Sequence, residues 1–308
     1  MKKMNIVKIA GRVYECKVEK RVSKAGVEYF GGDLSVAIDE EGVNVIPVSF
    51  IYVTREYGNG GAGAKKNPNF DILDKIVSGP TWALNGKDAA LKVEIDGSVA
   101  INPFVDRDEN LVTPKRINGS FVRIVNSLKE TDTNDFRVDM FINKVTRVEA
   151  NEERHIPEDY VTVRGGVFDF RETLVPVEFI VKNKDGMAYF ENLDVNEKNP
   201  VFTKLWGKIN CETKRTEISE ESAFGTAAVR FVERKTKEWV ITGTAKEVYD
   251  FDEDSADLKP SELEEAKQKL EIQLADVKKR HEDYVNSTTT TTTSASASTT
   301  VPEGKWSF

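Results

Sequence analysis

The sequence Val201-Phe202-Thr203-Lys204-Leu205-Trp206-Gly207-Lys208-Ile209 alternates between two kinds of residue. Successive side chains of a β-strand point to opposite faces of the sheet. One face of this strand then carries mostly core residues, and the other carries Phe202, Lys204, Trp206 and Lys208. Exposed rings can stack on nucleobases while lysines follow the phosphates. The stretch therefore predicts a strand whose outer face binds nucleic acid, unless a loop or a second sheet covers the two rings.

Composition limits the class of protein. The chain has 308 residues, of which 39% are hydrophobic and 31% are charged, values ordinary for a soluble globular protein with two domains and a tail. No signal-peptide pattern follows Met1, and no stretch approaches the ~20 apolar residues of a membrane span. Two cysteines outside any Cys/His cluster predict reduced thiols and no metal site. We expect a soluble, cytoplasmic protein.

The charge distribution decides little. The net charge is −8, which argues against a nucleic-acid ligand, but most of the excess negative charge follows residue 248. The preceding part of the chain is close to neutral, and a neutral body can still present a basic groove. Charge alone therefore allows a nucleic-acid partner without favouring one.

Short alternating runs bounded by turn residues predict strands through most of the chain before residue 248. Gly31-Gly32 indicates a bulge in one of them. A Gly-rich stretch at residues 58–66 and a short helix over 69–77 interrupt the pattern, which predicts an insertion covering about residues 55–100. Residues 182–186 (Lys-Asn-Lys-Asp-Gly) are typical of a type I′ hairpin turn.

The two halves of the chain resemble each other. Residues 9–17 align with residues 163–171, with glycine, valine, aromatic, acidic and basic residues at identical offsets. Near the other end of each half, residues 122–125 align with residues 229–232. We interpret this as a duplicated β module whose first copy carries the insertion.

These patterns predict an all-β fold of two tandem OB-like five-stranded barrels, a C-terminal amphipathic helix and a disordered Thr/Ser-rich tail. A pair of β-sandwiches is the alternative. The expected divisions are a first domain at residues 1–150, a linker at 151–159 within the stretch 151–250, a second domain at 160–250, an acidic segment and helix at 251–286, and a tether at 287–308.

The predicted helix over residues 261–285 has an apolar stripe that includes Leu263, Leu270, Leu274 and Val277. Such a stripe either forms a short coiled coil in a homo-oligomer or packs back on the barrels. The Thr/Ser-rich stretch that follows has no residues for a core and should be disordered. It ends with Trp306 and Phe308, which we interpret as a tip that binds a protein partner.

An enzymatic function is not expected. The two histidines, His155 and His281, lie in the linker and the helix, so no Ser-His-Asp or Cys-His arrangement has its base in a domain. Neither histidine has metal-site spacing. The Gly-rich loop lacks the Gly-Lys-Ser/Thr of a phosphate-binding loop, because Lys66 stands where the hydroxyl belongs. We predict no catalytic residues, no metal and no cofactor.

The candidate binding residues are aromatic and basic side chains that occur in both halves. The second half supplies Phe202, Lys204, Trp206 and Lys208, with Arg164, Arg171, Arg230 and Trp239 on flanking strands. The first half supplies Phe50, Tyr52, Arg12, Lys17, Lys20 and Arg21, and the inserted segment adds Lys65, Lys66, Phe70 and Trp82. Their co-occurrence in both copies predicts one binding face.

With these residues, the chain resembles the OB-fold single-stranded-DNA-binding proteins of bacteria and their phages, and most of all a phage-type protein with two fused OB domains. The resemblance covers residues 5–248 and the flexible tail. It implies sequence-nonspecific coating of single-stranded DNA in replication, recombination or repair. It also implies that Phe308 docks replication or recombination proteins, although the family tip is a run of acids before Pro-Phe and this tip reads Glu-Gly-Lys-Trp-Ser-Phe.

A function of another class stays open on the residues alone. A duplicated β module with a helical arm and a Thr/Ser-rich tail also suits a non-enzymatic structural or adaptor protein, such as a virion component. The acidic net charge fits that alternative better. The salt dependence of nucleic-acid binding would separate the two.

Overall fold

A computed structural model describes residues 3–57, 64–128, 134–153, 156–196, 199–220, 228–255 and 257–293, with the backbone alone for residues 214–220, 228–232, 234 and 287–293. The first elements are β1 (Asn5–Cys16), β2 (Glu19–Val22), β3 (Glu28–Ala37), β4 (Val45–Thr54), β5 (Glu56–Tyr57), β6 (Lys65–Lys66), α1 (Pro68–Val77), α2 (Trp82–Asn85), β7 (Lys92–Ile101), β8 (Phe104–Val105), β9 (Leu111–Val112) and β10 (Lys115–Ile124). They are followed by β11 (Asn134–Val148), β12 (Tyr160–Phe168), β13 (Leu174–Val181), α3 (Lys184–Glu191), β14 (Val201–Glu220), β15 (Ala228–Thr244) and α4 (Pro260–Thr293).

Most of the described chain is β-strand, as the sequence predicted. The alternation of side chains explains this, because every second residue enters the core. On β7, for example, Val93, Ile95, Val99 and Ile101 are buried. The predicted bulge at Gly31-Gly32 is confirmed by a register shift between Phe30 and Gly32. The buried faces of both halves merge into one hydrophobic core.

Five strands of the first half form a closed ring of pairings, here called the first ring. β1 pairs antiparallel with β3 and β7, β3 with β4, and β7 with β10, while β4 and β10 pair in parallel. The predicted helix over residues 69–77 is present as α1, between the third and fourth strands of this ring. Its Phe70, Leu73 and Ile76 are buried, and Asn67 caps it by accepting a hydrogen bond from the Asn69 N–H.

The second half forms a second ring with the same order of pairings. β11 pairs antiparallel with β12 and β14, β12 with β13, and β14 with β15, while β13 and β15 pair in parallel. The helix α3 again lies between the third and fourth strands. The turn predicted at residues 182–186 is therefore wrong. The Asn183 Oδ1 accepts a hydrogen bond from the Gly186 N–H and starts this helix.

The pairings also test the sequence repeat. Residues 122–125 and 229–232 lie on β10 and β15, which are the fifth strands of their rings, so this alignment joins equivalent strands. The alignment of residues 9–17 with 163–171 does not, because β1 is the first strand of one ring and β12 is the second strand of the other. The strand at residues 134–148 belongs to the second ring by its pairings with β12 and β14.

Several contacts join the two rings. Residues 5–9 of β1 pair antiparallel with residues 134–138 of β11, which makes one 11-stranded sheet. The long β14–β15 hairpin also reaches from the second ring to the first, where the Cys211 N–H donates to Asn44 Oδ1 at 2.8 Å. The Thr213 N–H donates to the Val43 carbonyl at 3.1 Å. The base of the hairpin is therefore fixed against the first ring.

The chain after β15 packs back on the second ring. Leu258, Leu263 and Ala266 are buried against it in a separate hydrophobic cluster, and Lys3 Nζ lies 2.8 Å from a carboxylate oxygen of Glu262. The first turns of α4 thus follow the packing-back alternative.

The end of α4 differs from the prediction. The helix continues to Thr293, so residues 287–293, expected to be disordered, are helical. Residues 294–308, with Trp306 and Phe308, lie outside the described residues. Among the helices described, none has the length and apolar character needed to cross a membrane.

Gly165 tests how closely β12 approaches β11. A Cβ at position 165 would collide with the carbonyl oxygen of Phe141. Because that carbonyl belongs to a ladder that closes the second ring, relief requires a backbone shift. Gly165→Ala should lower the free energy of unfolding by about 1–3 kcal/mol, measured by urea unfolding.

The control for this prediction is Gly31→Ala. Its Cβ would meet the Tyr29 ring at 3.4 Å, an ordinary van der Waals contact. The control should lose much less stability than Gly165→Ala. Equal losses in the two variants would contradict the proposed clash.

Candidate nucleic-acid groove

A groove with a volume of about 1140 Å³ lies on the second ring. Its floor is β12 and β13, the second and third strands of that ring. Residues 156–158 of the β11–β12 connection form one wall, and the base of the β14–β15 hairpin forms the other. Thr113, just before β10, and Lys115, the first residue of β10, reach its edge from the first ring. We call this the large groove.

Several charged side chains of the large groove are already paired. Arg164 forms an ion pair with Glu178. Lys182 Nζ lies 3.1 Å from a carboxylate oxygen of Glu158 and 2.8 Å from one of Glu238. These pairs hold the connection, the floor and the hairpin together, and a polyanion would have to compete with the carboxylates for the cations.

Lys235 and Lys237 offer charge without that competition. Both are exposed on β15 and line the large groove. Neither has an ion-pair partner among the described residues. They lie two residues apart on one strand, so their side chains leave the same face of the hairpin. Together they present two accessible ammonium groups along one wall.

Lys115 is the most perturbed charge of the site. Its Nζ lies 4.9 Å from the ring centroids of both Phe179 and Trp239 and donates to the Glu178 carbonyl oxygen at 2.5 Å. Burial against these rings lowers the pKa of Lys115 from 10.5 to about 8, although nearby Glu178 acts in the opposite direction. The ammonium is held at the groove edge with poor solvation.

Beneath Lys115 lies a cluster of three rings. Trp239 lies 5.8 Å from Phe179 and 5.5 Å from Phe136, and Phe136 lies 4.8 Å from Phe179, all between ring centroids. Trp239 is only 7% exposed, yet it lines the large groove. The indole therefore belongs to the core and can report on the groove through its fluorescence.

Comparison with known proteins gives the family of the chain. A family model described as YorF matches residues 3–280. The chain belongs to the YorF family. No curated protein matches it.

Two of the solved structures similar to this YorF-family chain are of one protein. The wild-type single-stranded DNA binding protein from Thermus aquaticus is 10% identical, with a TM-score of 0.47, and the match covers 80% of this chain and 94% of that one. A deletion mutant of the same protein is 9% identical, with a TM-score of 0.46, and the match covers 82% and 98% of the two chains. Similarity at this level establishes no function.

The outer face of β14 is only partly open in the YorF-family structure. Phe202 is 1% exposed, with its ring 5.1 Å from Tyr249 and 6.2 Å from Phe168. The expectation that it faces solvent is wrong, because the chain after β15 covers it. Trp206 is 38% exposed, and Lys204 and Lys208 are half-buried. None of these four residues lines the large groove.

Of the other residues predicted in the second half, two meet in the large groove. They are Arg164 and Trp239. Arg171 lies outside it, in the β12–β13 turn, where its guanidinium is 5.1 Å from the Phe170 ring centroid. Arg230 lies on β15 in the part described by backbone alone.

The residues predicted in the first half do not form one site. Phe50 is buried in the core, and Tyr52 is 50% exposed beside Tyr29, with 4.6 Å between ring centroids. Arg12 is half-buried on β1. Lys17, Lys20 and Arg21 form ion pairs with Glu15, Glu28 and Glu19. Such exposed pairs contribute little to stability and keep the cations solvated.

The inserted segment is also separate from the large groove. Lys65 is exposed, and Lys66 Nζ lies 2.6 Å from a carboxylate oxygen of Asp71. Phe70 is buried in α1. Trp82 packs 6.0 Å from the Tyr14 ring.

Sequence reasoning missed the lysines that line the large groove: Lys115, Lys182, Lys235 and Lys237. A signal for two of them was present. Lys235, Lys237 and Trp239 alternate along β15 in the same way as Lys204, Trp206 and Lys208 along β14. Lys115 carried no such signal, since its ring contacts come from the other half of the chain.

Lys115→Met should stabilise this YorF-family protein. Below about pH 8 the wild type keeps a poorly solvated ammonium when folded, whereas the unfolded chain titrates near its ordinary 10.5. Wild-type stability should therefore rise relative to the variant as the pH increases from about 8 to about 10.5. Near neutral pH the variant should be more stable by about 1–3 kcal/mol, after allowing for the lost hydrogen bond.

Urea unfolding of both proteins across this pH range measures the difference. Lys235→Met, which changes an exposed lysine of the same groove, is the control and should follow the wild type. Parallel stability curves for Lys115→Met and the wild type would contradict the burial of the ammonium.

Proposed function

We propose that this protein binds single-stranded DNA in the large groove. The position of the groove supports this proposal. It lies over the second and third strands of the second ring, between the connection of the first two strands and the hairpin of the last two. OB folds bind oligonucleotides on these strands and between these two connections.

The proposal extends to the fold of the two rings of strands. We propose that each ring is an OB-type barrel, because five strands return to the first and one helix lies between the third and fourth strands. The barrels would span residues 5–124 and 134–244. This division moves the predicted boundary near residue 150 to the segment between β10 and β11, and it places the predicted linker, residues 151–159, within the span of the second barrel.

The chemistry of the groove suits a single strand. Lys235 and Lys237 would contact phosphates along one wall, and Arg164 and Lys182 would exchange carboxylates for phosphates. The edge of Trp239 would meet a base. Contacts to phosphates carry no sequence information, so binding without sequence preference is part of the proposal, and no catalytic step is required.

Tryptophan fluorescence titration with a poly-dT oligomer tests the function. Quenching is expected at low salt because Trp239 lines the groove, and log K should fall linearly with log salt concentration. Lys235→Ala should weaken binding and reduce the magnitude of this slope by about 0.7, the value for one phosphate contact on a single strand.

Lys278→Ala is the matched control for that titration. It removes the same charge from an exposed position on α4, which does not line the groove. Equal effects of the two variants would contradict a contact at Lys235. A flat titration of the wild type at low salt would favour the structural or adaptor function instead.

Trp206→Ala separates the groove from the face predicted by sequence. If the strand binds in the large groove, this variant should bind poly-dT like the wild type. A loss of about 1–3 kcal/mol, the range for one stacked base, would place the interface on the outer face of β14. The same titration measures it, with Trp239 still present as a reporter.

The proposal has three further parts. The protein acts in replication or recombination, its C-terminal tip docks protein partners, and α4 pairs with α4 of a second copy. The apolar stripe of α4 supports the last point. Beyond Leu270 it continues through Leu274 and Val277, where the helix is mostly exposed. Sedimentation of the full chain and of Leu274→Lys would measure any self-association.

A further inference from the structure

A second, smaller groove lies at the junction of the two rings. Its volume is about 310 Å³. β3, β4 and β10 of the first ring supply one side, and the base of the β14–β15 hairpin supplies the other. We call it the inter-ring groove. It meets the large groove at Lys115, Lys237 and Trp239, which line both.

The charged side chains that line the inter-ring groove have a net positive charge, whereas the whole chain has a net negative charge. Lys115, Arg116 and Lys237 line it, and Asp33 is the one carboxylate among its lining residues. Asp33 Oδ1 accepts a hydrogen bond from Ser49 Oγ at 2.6 Å, so it is already engaged. A net positive cavity in a chain with a net charge of −8 points to an anionic ligand.

Arg116 gives separate support for an anionic ligand in the inter-ring groove. Its Nε is buried and has no hydrogen-bond partner among the described residues. Burial lowers the pKa of its guanidinium, against the attraction of Asp33. A buried donor without an acceptor is costly in a folded protein, and an anion in the groove would provide one.

The hairpin brings the third cation to this place. Cys211 and Thr213 are hydrogen-bonded to the Asn44 side chain and the Val43 carbonyl of the first ring. On the paired strand, Lys237 is in register with Cys211. Cys211, Lys237 and Lys115 all line the inter-ring groove, so the two ammonium groups approach it from different rings.

We propose that the inter-ring groove binds a phosphate group, bridged between Arg116 and Lys115 of the first ring and Lys237 of the second. Guanidinium and ammonium donors form charge-assisted hydrogen bonds that suit the several oxygens of a phosphate. The ligand is either a free phosphate or a phosphodiester of a strand that leaves the large groove past Lys237. The second source rests on the proposed function, whereas the first does not.

The test compares the full-length protein in sodium phosphate and in sodium chloride of equal ionic strength. Phosphate should raise the unfolding temperature in a saturable way. Lys237→Ala should weaken the apparent affinity for phosphate at least about tenfold, the value of one charge-assisted hydrogen bond. Lys235→Ala is the matched control, because Lys235 lines the large groove but not this one, and its effect should be less than about twofold.

A second readout uses Cys211, which lines the groove. In a Cys16→Ser background it is the remaining cysteine of the chain. Saturating phosphate should slow its alkylation by iodoacetamide in the wild-type groove but not in Lys237→Ala. Cys211 is buried, so its alkylation is measured far below the unfolding temperature of each variant, and phosphate should still protect it in Lys235→Ala.

Poly-dT distinguishes the two sources. If it protects Cys211 and phosphate competes with it, the ligand is a phosphodiester. If phosphate protects Cys211 and poly-dT does not, the site takes a free phosphate, and the fluorescence titration with poly-dT decides the proposed function separately. Binding of poly-dT without any phosphate effect, or equal effects of Lys235→Ala and Lys237→Ala on phosphate affinity, would overturn the inter-ring site and leave the proposed function standing.

Discussion

The antiparallel ladder between β1 and β11 turns two rings of strands into one molecule. Each of these strands pairs with three others, two in its own ring and one in the neighbouring ring. The Asn5 side chain reinforces the junction, since its Nδ2 donates to the carbonyl oxygens of Val99 at 3.0 Å and Phe168 at 3.1 Å. With the two rings held in this way, the β14–β15 hairpin reaches Asn44. Lys115 then lies over the aromatic side chains of Phe179 and Trp239 in the other half of the chain. Both grooves therefore depend on this ladder.

Much of the strand content could be predicted because it follows from the local alternation of apolar and polar residues. Thr203, Leu205 and Ile209 are buried on the inner face of β14 as the pattern predicts. Local signals also gave the bulge at Gly31-Gly32 and the helix α1. The α3 segment was misjudged because Asn-Lys-Asp-Gly satisfies the rules for a tight turn and for a capped helix start equally well. The choice there is made by burial of Met187 and Phe190 further along the chain.

The site could not be predicted to the same degree because its decisive contacts join residues distant in sequence. Phe202 looked exposed on its own strand, but the chain that follows β15 covers it. No local pattern marks Lys115 in the sequence, but Phe179 and Trp239 from the second ring remove much of its contact with water. Alternation states which side chains share a face, and it does not state what covers that face.

The long C-terminal helix has a mechanical consequence. Its start is anchored by Leu263, Ala266 and the Lys3–Glu262 ion pair, whereas most of the helix beyond Leu270 is solvent-exposed. At 1.5 Å per residue, Thr293 lies about 35 Å along the helix from Leu270. An α-helix of this length is a semi-rigid spacer and not a flexible linker. The helical end at Thr293 is therefore separated by about 35 Å of helix from the part of α4 that packs on the second ring.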